Sequence, residues 1–288
     1  MIGCALLNAM KPSLIFLADN GSLESAATLS LRTIAAQLGD ALGRKVVPVS
    51  LLHSNAVPPD RLDEQPAELL AAALAARLQA GESDFLVVPL FFGPSGALTD
   101  FLPAQVAALK TKFPQLRVRV APGLVDVGAA NDERMAAILE ENVRAKIAQV
   151  SSRPAIVLVD HGSPARAVTA VREHLARQLR TRLGPAVCDV LAASMERRAE
   201  PEYDFNEPLL ERAFDRPGFD AGPVIVAMLF LSPGRHAAPA GDIARICAAA
   251  QQRHSELRIV MTDLVGRHPG LIPILADRAR AGLASIPL

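Results

Sequence analysis

Two short stretches of this sequence, 141 residues apart, are nearly the same word: Asp19-Asn20-Gly21-Ser22 and Asp160-His161-Gly162-Ser163. Pro59 and Pro66 return as Pro201 and Pro208, 142 residues on, and Phe91…Pro94 returns as Phe230…Pro233, 139 residues on. Three offsets so close together indicate an internal duplication with a half-length of about 140. A period that long does not build a solenoid; it implies two sibling domains, 1–150 and 151–288, joined around Gln149–Pro154.

Within each half, short β-branched runs alternate with longer amphipathic stretches rich in Ala, Leu and Arg. Strands are expected at Ser13–Leu17, Val46–Leu52, Phe85–Phe92 and Val118–Leu124, then at Ala155–Asp160, Val187–Ser194, Val224–Leu231 and Ile259–Val265. Stretches such as Leu23–Leu42 and Ala165–Leu183 repeat apolar residues at three- and four-residue spacing, which predicts helices. The runs Leu86–Phe92 and Val224–Leu231 are apolar on both faces, as strands covered by helices on both sides are. The expected fold is α/β: two tandem domains, each a parallel sheet of about four strands with right-handed crossovers and helices on both faces.

Composition narrows the function classes. Thirty basic residues balance thirty acidic ones, which argues against a general nucleic-acid binder. The longest apolar run, Val224–Leu231, is strand-sized, so no membrane partner is expected. The first residues, up to Phe16, have no basic residue ahead of their first apolar stretch and do not read as a signal peptide. Cys4, Cys188 and Cys247 form no C-x-x-C pair and no even disulfide set, as in a reduced, cytoplasmic protein.

The halves differ where chemistry is expected. His161 follows the fifth strand, Glu196 the sixth and His236 the seventh; at the shared offsets the first half has Asn20, Ser54 and Ala97. His268, after the eighth strand, faces Gly128 in the same way. Ligands of open α/β sheets bind at the carboxyl ends of strands, beside the point where strand order reverses, and there the two imidazoles and the carboxylate would converge. Such a set either holds a divalent transition metal with open positions left for a substrate, or works as acid–base groups near neutral pH. Set against this, a single histidine after a strand is commonly an ordinary loop residue, and Glu196 beside Arg197 and Arg198 reads equally as a solvated charge cluster. His174 within a helix, His254 in a polar stretch and His53 in the first half are read as structural.

Val159-Asp160-His161-Gly162-Ser163-Pro164 and Leu229-Phe230-Leu231-Ser232-Pro233-Gly234-Arg235-His236 together resemble the two signature segments of the class II chelatases, of the sirohydrochlorin cobalto- and ferrochelatase type. The likeness runs from about Ser13 to the C-terminal helix, and Gly241-Asp242-Ile243 and Asp100-Phe101-Leu102-Pro103 fit the family's loop after the third strand. The resemblance implies paired flavodoxin-like (chelatase-like) domains and ATP-independent insertion of a divalent metal, cobalt or iron, into a metal-free tetrapyrrole such as sirohydrochlorin, in sirohaem or cobalamin biosynthesis. It implies His161 and His236 as metal-site residues, with Glu196 (Glu200 as rival) as the site carboxylate, and one imidazole or Glu196 as the acceptor of the released protons. Unlike the better-known two-domain bacterial enzymes, this chain carries the histidine pair in its second half, leaving a degenerate first half.

Ser163, Arg235, Arg197 and Arg267, with Arg166 and Arg198, are the expected contacts for a carboxylate-rimmed macrocycle. No cofactor beyond the metal substrate is expected, and two fused halves suit a monomer or a homodimer. A non-catalytic metal or tetrapyrrole carrier would use the same pocket. A hydrolase built on Asp160-His161-Gly162-Ser163 is disfavoured, because triad members converge from separated segments and no G-x-S-x-G elbow occurs. Neither G-x-G-x-x-G nor a P-loop follows any expected strand, which sets a nucleotide-binding domain aside.

Overall fold

The computed structural model describes residues 14–129 and 131–288; the expectations on Cys4, Ser13 and the first residues of the chain lie outside them. Four parallel strands, β1 (Leu14–Asp19), β2 (Val46–Ser50), β3 (Asp84–Pro89) and β4 (Arg117–Val120), form a sheet in the order β2-β1-β3-β4. A second sheet of β5 (Ala155–Asp160), β6 (Val190–Ser194), β7 (Gly222–Met228) and β8 (Leu257–Met261) has the equivalent order β6-β5-β7-β8. The chain is thus α/β with two flavodoxin-like sheets, and strand order reverses between β1 and β3 and between β5 and β7.

Several strands stop short of their expected ends. Pairing in β3 ends at Pro89, although the apolar run continues through Leu90, Phe91 and Phe92. Those three residues keep single backbone bonds to the neighbouring segments, such as Leu90 N–H to the Ala18 carbonyl (2.8 Å), and pack on the sheet's clusters. The apolar run likewise continues after β7, where Leu229 is buried and Phe230 and Leu231 are half-buried.

Alternation along each strand separates two kinds of core. Leu14, Phe16 and Ala18 point to an outer cluster under α2 (Leu70–Gln79) and α3 (Leu102–Lys110). Ala155, Val157 and Val159 do the same in the second sheet, under α6 (Leu210–Ala213) and α7 (Asp242–Arg253). Ile15, Leu17, Ile156 and Leu158 instead join one cluster that runs through both halves. Four helices build that shared core: α1 (Ser25–Leu42), α4 (Arg134–Ile147), α5 (Arg166–Leu183) and α8 (Leu271–Leu283). The last helix of each half is exchanged: α4 packs on β7 and α5, while α8 packs on α1, β3 and β4. Among the described residues no helix is long and apolar enough to cross a membrane, and Cys188 and Cys247 are free thiols.

Candidate functional site

Gly162 fixes the first corner of the site. Its φ is +90°, and a Cβ there would fall 1.9 Å from the carbonyl oxygen of Glu196, so only glycine fits between the strand-end loops. Gly21 repeats this in the first half, with φ +93° and the carbonyl oxygen of Leu52 at 1.7 Å from an added Cβ. Across the gap the N–H of Glu196 donates to the carbonyl of His161 (3.1 Å), as that of Leu52 does to Asn20 (3.1 Å). The counterpart of Glu196 is therefore Leu52. The expected pairing with Ser54 is corrected by this register, because the segment between β5 and β6 is three residues longer than that between β1 and β2 (from Asp160 to Ser194 against Asp19 to Ser50).

His161 and His236 come together from the ends of β5 and β7, the pair of strands between which the order reverses. Their rings meet edge to face with centroids 4.8 Å apart and planes at 65°. The Nδ1 of His161 lies 3.1 Å from the carbonyl oxygen of Gly162, which can only accept, so this contact suits the tautomer with its proton on Nδ1. The same holds for His236, whose Nδ1 donates to Oδ2 of Asp242 at 2.6 Å. The Arg245 guanidinium, and after it His236, holds the Asp242 carboxyl below its ordinary range, so it stays an acceptor. α7 begins at Asp242, and the N–H of Ile243 donates to the carbonyl of His236 (3.2 Å), tying the helix start to the imidazole it orients. Glu196 reaches the other side of His161, with Oε1 3.4 Å from Nε2. Glu200 makes no side-chain hydrogen bond or ion pair to either ring among the described residues; its backbone carbonyl accepts from the Tyr203 N–H (3.0 Å) and from Arg197.

The two histidines border a cavity of about 350 Å³ between the halves, lined on one side by His161, Phe230, Leu231 and His236 and on the other by Asp19, Asn20, Gly21, Ser22 and Ala27. A second hollow of about 440 Å³ lies on the outer side of His236, lined by Glu196, Arg235, Asp242 and Arg245. Arg235, with its side chain 78% exposed, borders both. A pair of Nε2 atoms can take a divalent transition metal while leaving most of its coordination positions open. Among the described residues no group of three His, Cys, Asp or Glu side chains is arranged to hold a metal ion.

The other residues singled out in the sequence sit elsewhere. The Ser163 hydroxyl accepts the N–H of Ala165, and its backbone is clasped by Asn206. Arg197 is bound to Asp204 (3.0 Å) and Glu207 (2.9 Å). Arg166 stacks on Phe205, and Arg198 on Tyr203. Ser163, Arg197 and Arg267 line neither hollow. His268 turns away to Glu141 on α4 (3.1 Å), and His254 bonds Asp215 (2.9 Å). The sequence reading missed the role of Asp242, whose signal was a carboxylate at the start of the helix that follows His236.

Residues 155–281 match the family model described as CbiX. No curated protein matches the chain. Among solved structures, SirB from Bacillus subtilis with Fe3+ is 16% identical, with 96% of each chain covered and a TM-score of 0.69. The sirohydrochlorin chelatase SirB from Bacillus subtilis subspecies spizizenii, in complex with cobalt, is 14% identical, with 95% of each chain covered and a TM-score of 0.69. CbiX, the terminal enzyme for siroheme biosynthesis in denitrifying bacteria, is 17% identical over 93% of this chain and 98% of its own, with a TM-score of 0.60. The chain thus has the two-sheet fold of these proteins over nearly its whole described length.

Proposed function

From the CbiX family match at 155–281 and the chelatase fold of the whole chain, we propose that this protein is a metal chelatase that inserts a divalent metal, cobalt or iron, into a metal-free tetrapyrrole such as sirohydrochlorin, without ATP. The observation that carries the reading is the imidazole pair at the cleft between the sheets, each ring with its Nδ1 against an oxygen acceptor.

His161 and His236 receive the metal as substrate through Nε2. Glu196, beside His161, accepts a proton that the macrocycle releases as the metal enters. Arg235 and Arg245, both more than two-thirds exposed on the outer side of His236, provide guanidinium groups for the carboxylates of such a macrocycle. No cofactor beyond the metal substrate is required, and one chain holds all the groups named. Free Cys188 and Cys247 suit the cytoplasm, where sirohaem or cobalamin synthesis would use the product.

Anaerobic incubation with sirohydrochlorin and Co²⁺ or Fe²⁺, followed by absorbance, tests the reading. The protein is expected to turn over many equivalents, and His236→Ala to abolish insertion with its circular dichroism unchanged. Stoichiometric binding without turnover would show a carrier, and full activity in His236→Ala would remove the histidine pair from the mechanism.

A further inference from the structure

Metal insertion releases two pyrrole N–H protons, and the two histidines assigned above stand on one wall of the cleft. A flat macrocycle filling a cavity between two halves turns one face to each wall. Cations repel, so protons leave most readily from the face opposite the incoming metal. Of the six first-half residues that line the cavity, Asp19, Asn20, Gly21, Ser22, Ala27 and Leu90, Asp19 alone titrates.

The duplication shows what is unusual about Asp19. Its sibling Asp160 is held by Arg172, a fully buried side chain on α5, whose Nη1 lies 3.2 Å from Oδ1 and also bonds the Ser194 hydroxyl and the Asn206 carbonyl. α1 and α5 have the same length and register, and α1 carries Leu31 where α5 carries Arg172. With the counter-cation missing, Oδ1 of Asp19 is buried and has no hydrogen-bond partner. Thr28 Oγ1 is left in the same state, whereas its sibling Thr169 bonds Asn206 (3.2 Å).

Resting on the proposed function, we infer that Asp19 accepts one of the two pyrrole protons, from the macrocycle face turned away from His161 and His236. The N–H bond breaks, its electron pair stays on nitrogen to bind the metal, and the proton forms an O–H bond on the Asp19 carboxylate. The other proton goes to Glu196 beside His161, in the outer hollow, and no group changes oxidation state. Asp19 takes no part in holding the metal, since it forms no three-ligand group with the histidines among the described residues. Burial raises its carboxyl to about 6 against the opposing bonds from the Ser50 hydroxyl and the Gly21 N–H, which places the acceptor near the working pH. A hydroxyl relay leads away from it: Ser54 donates to Ser50 (2.8 Å), and Ser50 borders a separate hollow of about 170 Å³.

Asp19→Asn, assayed with sirohydrochlorin and Co²⁺, tests the inference. The kcat is expected to fall about tenfold or more, with KM for the metal and the tetrapyrrole unchanged. Stability should move the other way. A carboxyl raised from 3.8 to about 6 supports the fold fully below about 4 and loses that support as pH rises through 6. His161, Arg235 and His236 are the charged or titratable groups that share its cavity, while Ser50 of β2, Ala27 of α1 and Leu90 after β3 bring none. Asp19→Asn therefore melts at the same or a higher temperature than wild type at pH 8, which separates loss of a base from loss of structure. A variant with wild-type kcat, or one whose defect is a raised KM for the metal, overturns the inference while leaving the chelatase reading in place. An inactive wild type overturns both.

Discussion

On each histidine Nδ1 meets a neighbour that can only accept, and this makes the site's chemistry a property of second partners as much as of ligands. Asp242 is the stronger of the two partners, because it is an ionised carboxylate at 2.6 Å rather than a carbonyl at 3.1 Å. Removing it frees His236 to rotate and to place its proton on either nitrogen. Asp242→Ala should weaken metal binding or kcat/KM by about 10- to 100-fold, measured by Co²⁺ titration and by insertion rate, with far-UV circular dichroism unchanged. An unaltered affinity would show that the ring is oriented by its packing alone. At this scale the sequence was partly legible. His161 and His236 stand out because the other half lacks them, whereas Asp242 is one of thirty acidic residues and gains its meaning only when the turn through Gly241 folds it back onto the ring. The signal for Asp19 was present as well: Arg172 and Leu31 differ at the same offset that pairs Asp160 with Asp19. It went unread because a carboxylate present in both halves does not look like a difference.

α5 joins the loop after β5 to the turn before α6 through a single buried cation. Arg172 contacts Asp160, Ser194 and the Asn206 carbonyl inside and reaches Glu173 outside (2.8 Å), while Asn206 clasps Ser163 at both its N–H (3.1 Å) and its carbonyl (2.9 Å). His161 and Ser163 therefore inherit their positions from a polar network beneath them. Breaking a buried pair from one side leaves a charge with no partner, so Arg172→Met should cost about 3–5 kcal/mol in denaturant unfolding. Adding Asp160→Asn to it removes the stranded charge and should recover a large part of that loss. A double variant no more stable than the single would locate the cost in packing instead. The elements themselves were legible from apolar spacing, and Arg166–Leu183 lies within one residue of the expected helix. Strand ends were less so, because Leu90, Phe91, Phe92 and their siblings keep the apolar pattern going past the last paired strand residue.

Two seams join the halves of the molecule, and the duplication makes them equivalent, yet they are not alike. At one, Gly93 after β3 meets α5 so closely that an added Cβ would lie 2.6 Å from Cγ2 of Val171. At the other, Ser232 and Gly234 after β7 face Ala27 of α1 across the 350 Å³ cavity. One seam is shut and the other open, and the open one carries the histidines. The exchange of α4 and α8 holds this arrangement, with Arg134 on Asp277 of α8 and Arg278 of α8 on Asp132 (2.9 Å). Sequence periodicity showed that both helices have a buried face, and it could not show which sheet receives it, since an amphipathic pattern carries no address. The consequence concerns where the chain can be cut. Residues 151–288 hold every strand of the second sheet and the whole family match, yet that piece lacks the α4 that covers β7, and its α8 has lost the first sheet. Expressed alone it should unfold without a cooperative transition and bind hydrophobic dyes, because Leu158, Ile225 and Ala227 of the inner face are left partly uncovered. Starting the piece at 131 restores α4 and should restore a cooperative melt, though no insertion, because the wall bearing Asp19 is still missing. A 151–288 fragment that melts as sharply and as high as the full chain would mean that the helix exchange decorates two independent domains; failure of that fragment and rescue by 131–288 would mean that the two sheets share one core and fold as one body.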